Sequence, residues 1–290
     1  MATTCPPGPE TAFVDFGTVK LAVLAAFQGV TEVLPISATA HARLLAALGL
    51  WPDFGPAFSG ALASAVALAL IVWLHRDVRA VVAGPIAALQ TGDTRTFEFR
   101  LAVALAVAVV PLAGLRLVLR RPLADCASAL NGFATLGAAL LAVAALMVVV
   151  EIFGRRNRGF ADLRLRDAVV VGLLVALAAV PGVAVPAAAL AGALAMNLDR
   201  PSALRWALLV TVPGLLFGGL TALAALRKTG LDAAGWQVFA TAWGVTFLAA
   251  LAATAALAWL FARLGTWPFA VWRLLFGAFL LLVAALGVLE

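Results

Sequence analysis

The stretch Phe27-Gln28-Gly29-Val30-Thr31-Glu32-Val33-Leu34-Pro35-Ile36-Ser37-Ala38-Thr39-Ala40-His41-Ala42-Arg43 places polar chemistry inside a long apolar run. A charged side chain at bilayer depth costs about 2.5–3.5 kcal/mol on insertion scales, so Glu32 marks a functional site by default. The alternative is a carboxylate solvated at the membrane boundary. Pro35 removes a backbone donor and disfavours helix at Leu34, so a helix break is expected there. In lipid such a break is tolerated only against protein or a watery cavity. Gln28 and Glu32 are spaced to share one helix face before the break, and Ser37 and His41 to share one after it. Two short helical arms meeting at a kink would bring Glu32, Ser37 and His41 together.

Working outward, the whole chain is 64% hydrophobic and 12% charged, with mean hydropathy +1.09. Soluble domains carry roughly 25% charged residues, so an integral membrane protein is expected. The net charge of +6 resides largely in arginines between apolar runs, which points to topology and anionic headgroups, not to nucleic acid. Cys5 and Cys126 form no CxxC pair, which argues against a disulfide framework or a zinc site. Met1–Asp15 lacks a positive n-region and reads as a short loose tail, not a signal peptide.

The first apolar unit, Phe16–Leu50, is interrupted at Pro35 and reads as a re-entrant helical hairpin, closed by a turn at Trp51–Pro56. Spans are expected near 57–74, 101–119 and 130–150, with a loop at His75–Arg100. After an arginine-rich loop at Arg155–Arg166, a second interrupted pair breaks at Pro181-Gly182, and further spans follow near 203–226, 236–263 and 269–288. The expectation is an all-α integral membrane fold in one transmembrane domain over residues 1–290. It would hold an inverted repeat, about 16–150 and about 168–288, each half a broken re-entrant hairpin plus three transmembrane helices. A hairpin returns to its own side and three spans do not, so the halves must be inverted. The same parity puts the loops holding Arg76–Arg100, Arg155–Arg166, Arg200, Arg205 and Arg263 on one side. That side is richer in arginine and should be cytoplasmic, so the first hairpin should open to the outer face, where Cys5 and Cys126 would also lie.

A Glu beside a Gln, hydroxyls and an imidazole suits phosphate-ester chemistry with a divalent metal, Mg²⁺ or Ca²⁺. Such an ion is held by one or two carboxylates plus substrate phosphates. Glu32 would be a ligand, with Gln28 as an oxygen donor or supporting partner. His41 would be acid or base; taken alone it reads as a satisfied buried histidine. Ser37 would be a nucleophile or a donor to phosphate oxygen, and Thr39 a further donor, unless both hydroxyls bond back to the helix. Arg43 would bind the anion or snorkel to the interface.

These motifs resemble the undecaprenyl-diphosphate phosphatases, the bacitracin-resistance family. The resemblance rests on Gln28–His41, Phe54-Gly-Pro-Ala-Phe58, the Pro181-Gly182 break, Ala203–Gly219 with Pro213-Gly214, and Pro268-Phe269 followed by Trp272-Arg273. It implies a multi-pass enzyme of the bacterial inner membrane with a site open to the outer face and divalent-metal dependence. It also implies release of phosphate from undecaprenyl diphosphate, which recycles the lipid carrier of cell-wall synthesis. Glu32, His41 and Ser37 would then be catalytic, Gln28, Thr39 and Arg43 would bind substrate, and Glu32 and Gln28 would hold metal. The expected partners are a polyprenyl diphosphate lipid, the bilayer and a second copy in a homodimer, with no nucleic acid.

The second motif departs from the family's Pro-Gly-x-Ser-Arg-Ser-Gly-x-Thr. Its serines fall on Ala184 and Pro186, its arginine on Val185 and its threonine on Ala189; a family glutamine falls on Val175, and the second serine of the first motif on Ala38. Losing the arginine removes a bidentate phosphate clamp. Two readings stay open: a phosphatase in which Arg43 or Arg273 replaces that cation, or an inactive relative that binds or translocates polyprenyl phosphate lipids.

Overall fold

Two broken helices organise the structure, a computed structural model that describes residues 11–50, 54–124 and 128–287. Helix α1 (Thr18–Val33) stops because Leu34, preceding Pro35, turns extended at ψ 141°. Helix α2 (Ala38–Ala47) restarts behind Ser37, whose Oγ accepts from the Ala40 N–H at 3.4 Å. The second break repeats this course. Helix α8 (Leu165–Ala176) tightens into a 3₁₀ turn, Val180 turns extended before Pro181, and α9 (Val185–Ala195) restarts behind Ala184. Ser37 and Ala184 both take left-handed φ, 74° and 67°, immediately ahead of their helices. All four arms are shorter than the roughly 20 residues a full span needs.

Between and after them run α3 (Gly55–Trp73), α4 (His75–Thr91), α5 (Phe97–Val118), the short α6 (Arg120–Ala124), α7 (Phe133–Phe153), α10 (Arg200–Leu226), α11 (Ala233–Leu264) and α12 (Trp267–Ala285). Six helices, α3, α5, α7, α10, α11 and α12, are long and apolar enough to cross a bilayer, in the expected order. The described residues contain no strand, only an isolated bridge between Arg158 and Leu198. The chain is an all-helical, multi-pass membrane protein.

Two sequence expectations need correction. His75–Arg100 is not a loop throughout: α4 occupies most of it, too charged to span but packed on α5, with buried Asp77 bonded to Arg205 of α10 at 2.6 Å. Of the tail expected over Met1–Asp15, residues 1–10 lie outside the described residues, and Thr11–Asp15 is not loose. Phe13 is buried and stacks on Phe58 at 4.3 Å within an aromatic cluster that includes Phe54 and Phe239. The expected placements of Cys5 and Cys126, and the first half of the Trp51–Pro56 turn, lie outside the described residues.

The most extensive helix pairs are α3 with α10, α7 with α12, α1 with α11 and α5 with α8. Matching α1, α2, α3, α5, α7 in order with α8, α9, α10, α11, α12 maps this set of pairs onto itself. Glycines set two of the crossings. A Cβ at Gly29 of α1 would sit 2.5 Å from the Thr246 carbonyl oxygen of α11, and one at Gly172 of α8 would sit 3.0 Å from Ala108 Cα of α5. Backbone cannot yield as a side chain can, so Gly29→Val is expected to cost about 1–3 kcal/mol. Thermal unfolding in detergent checks this, and an unchanged midpoint would refute it.

One end of the bundle is tied by ion pairs. Glu151 at the end of α7 accepts from Arg200 at 2.5 Å and from the Thr266 backbone N–H at 2.9 Å. Asp167 pairs with Arg158 at 2.6 Å, and the Arg205 guanidinium lies 4.1 Å over Phe160. The loops that parity assigns to one side thus meet through named contacts. Phe13, Phe54, Leu226 and Trp236 gather in a separate apolar cluster.

Candidate functional site

Each break leaves unsatisfied backbone and two helix ends, which must face protein or an aqueous space. Here the two breaks face a common cavity of about 310 Å³. The first break contributes Thr31, Glu32, Ser37, Ala38 and Thr39; the second contributes Val180, Pro181, Gly182, Ala184, Val185 and Pro186. Small residues of α3 and α10, including Gly60, Ala63, Gly214 and Gly218, make room, and α5 adds Val109, Leu112 and Arg116. Helices α2 and α9 both begin on this wall, and helix N-termini favour anions.

Glu32 lines the cavity half-buried, and among the described residues no hydrogen bond or ion pair closes on its carboxylate. Arg116, exposed on α5, lines the same cavity and makes no ion pair with Glu32. Ser37 is buried at the cavity edge. Its Oγ accepts the α2 capping bond, which leaves the hydroxyl proton free to donate. Thr39 is exposed on the same wall. The Thr31 hydroxyl bonds back to the Phe27 carbonyl at 2.9 Å.

The remaining expected site residues lie off the wall. His41 sits behind the break: Trp272 donates its indole N–H to Nε2 at 3.0 Å, and Nδ1 is 2.8 Å from the Ser37 carbonyl. Indole is a donor only, so Nδ1 carries the proton and donates to Ser37. The ring also stacks on Phe276 at 4.3 Å. Gln28 donates to the Ser59 carbonyl at 2.6 Å and joins α1 to α3. Arg43 bonds both the backbone carbonyl and the side chain of Asn131, the latter at 2.8 Å.

Arg273 of α12 is fully buried. Its guanidinium donates to Pro35 O at 3.1 Å, Gly182 O at 2.8 Å and Val183 O at 2.9 Å. It ties the two breaks together from behind and does not line the cavity. Sequence reasoning missed Arg116. Its signal was an arginine within the apolar span expected at 101–119, which intramembrane cost alone should have flagged.

Among the described residues no group of three or more His, Cys, Asp or Glu side chains gathers as a metal cage. The donor set at the cavity is one open carboxylate with neighbouring hydroxyls. That fits a hard divalent cation only when substrate phosphate oxygens complete the coordination.

The sequence matches known proteins over nearly the whole chain. The family described as bacitracin resistance protein BacA matches residues 21–279. Undecaprenyl-diphosphatase 2 of Mesorhizobium japonicum is 38% identical over 260 residues, covering 90% of this chain and 98% of that protein. The undecaprenyl-diphosphatase of Gloeobacter violaceus is 32% identical over 278 residues, covering 95% and 94%, and that of Trichodesmium erythraeum 30% over 292, covering 99% and 92%. With the match running through both helix breaks and into the last of the six long apolar helices, the chain belongs to the bacitracin resistance protein BacA family.

Proposed function

We propose that the chain hydrolyses undecaprenyl diphosphate to undecaprenyl phosphate and inorganic phosphate in the bacterial inner membrane. The observation that carries this reading is the cavity shared by the two breaks. It joins an open carboxylate, Glu32, two hydroxyls, Ser37 and Thr39, a cation and two helix N-termini. The names of the relatives supply the substrate.

In this reading Ser37 and Thr39 donate hydrogen bonds to phosphate oxygens, and the starts of α2 and α9 add positive potential. His41 holds the Ser37 carbonyl, and with it the left-handed turn that presents the hydroxyl, so it acts as a positioning residue. Glu32 would hold a divalent cation, Mg²⁺ or Ca²⁺, together with substrate oxygens. Such an ion neutralises diphosphate charge and polarises the phosphorus–oxygen bond. Water adds to the terminal phosphorus, the anhydride P–O bond breaks with its electron pair staying on the oxygen of undecaprenyl phosphate, and the water's protons pass to the released inorganic phosphate and to solvent.

The inverted repeat, the cytoplasmic placement of the arginine-rich end and a cavity open to the outer face belong to the same reading. The self-mapping helix pairs and the ion-pair network at one end support it.

Phosphate release from undecaprenyl diphosphate by purified protein in detergent tests the proposal. Release is expected, with a fall of about 10²-fold under a chelator and recovery on adding Mg²⁺ or Ca²⁺. No release above protein-free micelles would refute it and leave a protein that only binds or moves polyprenyl phosphates.

A further inference from the structure

Phosphoryl transfer places charge on the equatorial oxygens of the moving group, and catalysis rests on positioning and on stabilising that charge. The second break brings no cation to the moving group, because Ala184, Val185 and Pro186 line the cavity there. The two arginines that the sequence nominated are engaged elsewhere. Arg43 holds Asn131, and Arg273 holds the carbonyls of Pro35, Gly182 and Val183. Among the described residues that line the cavity, Arg116 is the one basic side chain.

Its position follows from packing. Helix α5 lies against α8, the arm that leads into the second break, and Gly172 allows their backbones to touch near Ala108. That contact fixes the C-terminal half of α5 near the second break, and Arg116 and Val185 line the same cavity. The small side chains at 184–186 leave the volume that a longer group on α9 would fill. Exposed Arg116 and half-buried Glu32 both line the cavity, and they form no ion pair. Opposite charges that line one cavity without pairing are each open to a ligand. Held apart, they leave room for an anion at the arginine and a cation at the carboxylate.

We infer that Arg116, presented from α5, is the cation that binds the diphosphate of the substrate in this chain, in the place left without one by Val185 on α9. The assignment rests on the phosphatase reading for its substrate, but not on turnover for its test. Because guanidinium pairs with phosphate oxygens bidentately, lysine is an incomplete substitute.

The test measures binding of farnesyl methylenediphosphonate, which cannot be hydrolysed at its P–C–P bridge, to detergent-solubilised full-length protein, alongside phosphate release. Arg116→Gln is expected to weaken binding about tenfold or more and to lower kcat/KM at least about 10²-fold, chiefly through kcat. Arg116→Lys should recover part of both. Val185→Arg in the Arg116→Gln background should also recover affinity, because it returns a cation to the same cavity. A merely structural role for Arg116 would not respond to a charge restored on another helix. Unchanged binding in Arg116→Gln overturns the assignment, and so does a loss that neither Arg116→Lys nor Val185→Arg repairs. Diphosphonate binding by the unaltered chain without phosphate release would refute the hydrolytic reading alone, leaving Arg116 to the affinity series. No binding by the unaltered chain would refute both.

Discussion

Arg273→Met is expected to uncouple the two helix breaks, lowering stability by about 3 kcal/mol or more and abolishing any turnover. The reason is the character of its partners. Arg273 is fully buried, and its guanidinium donates to backbone carbonyls: Pro35 on one break, Gly182 and Val183 on the other. Hydrogen bonds to a charged donor contribute about 1.5–3 kcal/mol each, and an orphaned buried acceptor costs about 1–3 kcal/mol. Methionine matches the length of the stem and fills much of its volume, so the loss isolates the guanidinium and not a cavity. The carbonyls it releases belong to segments that cannot bond within a helix, because both breaks have extended or left-handed residues at these positions. Arg273→Lys should fall between the two, since an ammonium reaches fewer carbonyls at once. Thermal unfolding in detergent and phosphate release check the expectation together. A midpoint within about 2 °C of the unaltered chain would refute the tie.

Arg273 also marks the boundary of what the sequence discloses. The helix breaks were legible because proline acts through local sterics, on its own residue and the one before it. The six spans were legible because lipid imposes length and composition on any helix that crosses it. Glu32 was legible because a carboxylate is costly at that depth. The fate of the arginines was not, since bonding a carbonyl and binding a phosphate demand the same residue type. Only the packing of α12 behind the breaks assigns Arg273 to the first role, and only the crossing of α5 on α8 brings Arg116 to the cavity. His41 is of the same kind. Its spacing from Ser37 correctly put it on the Ser37 face of α2, yet Trp272 and Phe276, far along the chain, draw the ring behind the break. Helix α4 escaped notice because a helix lying on neighbours needs no long apolar run.

The second break separates what side chains do from what the backbone does. It carries no polar side chain from Val180 to Ala189, but Ala184 adopts the left-handed φ that Ser37 adopts in the first break, at 67° against 74°. A residue with a Cβ pays roughly 1–2 kcal/mol for that region. The scaffold therefore holds this strained turn without a side-chain cap to support it. Both breaks share the backbone turn that frames the cavity while only the first carries polar side chains on it, which leaves room for a cation presented from another helix.

Glu32→Gln is expected to move activity and stability in opposite directions. Glutamine keeps the volume and hydrogen-bonding reach of glutamate and removes its charge. If Glu32 holds a divalent cation against the diphosphate, phosphate release should fall about 10²–10³-fold or more. Stability should hold or rise, because the carboxylate has no hydrogen bond or ion pair among the described residues, and an ionised group held so in an apolar bundle is a burden on the fold. A thermal midpoint equal to or a few degrees above that of the unaltered chain is the expected reading. The contrast with Arg273→Met gives the experiment its force, since both are intramembrane charges and both substitutions should stop turnover. One should do so by loosening the frame, and the other by emptying the site within an intact frame. Activity within about threefold of the unaltered chain would remove Glu32 from the chemistry. A midpoint lowered as far as that of Arg273→Met would instead make Glu32 part of the scaffold, and the open carboxylate in the cavity would then need another explanation.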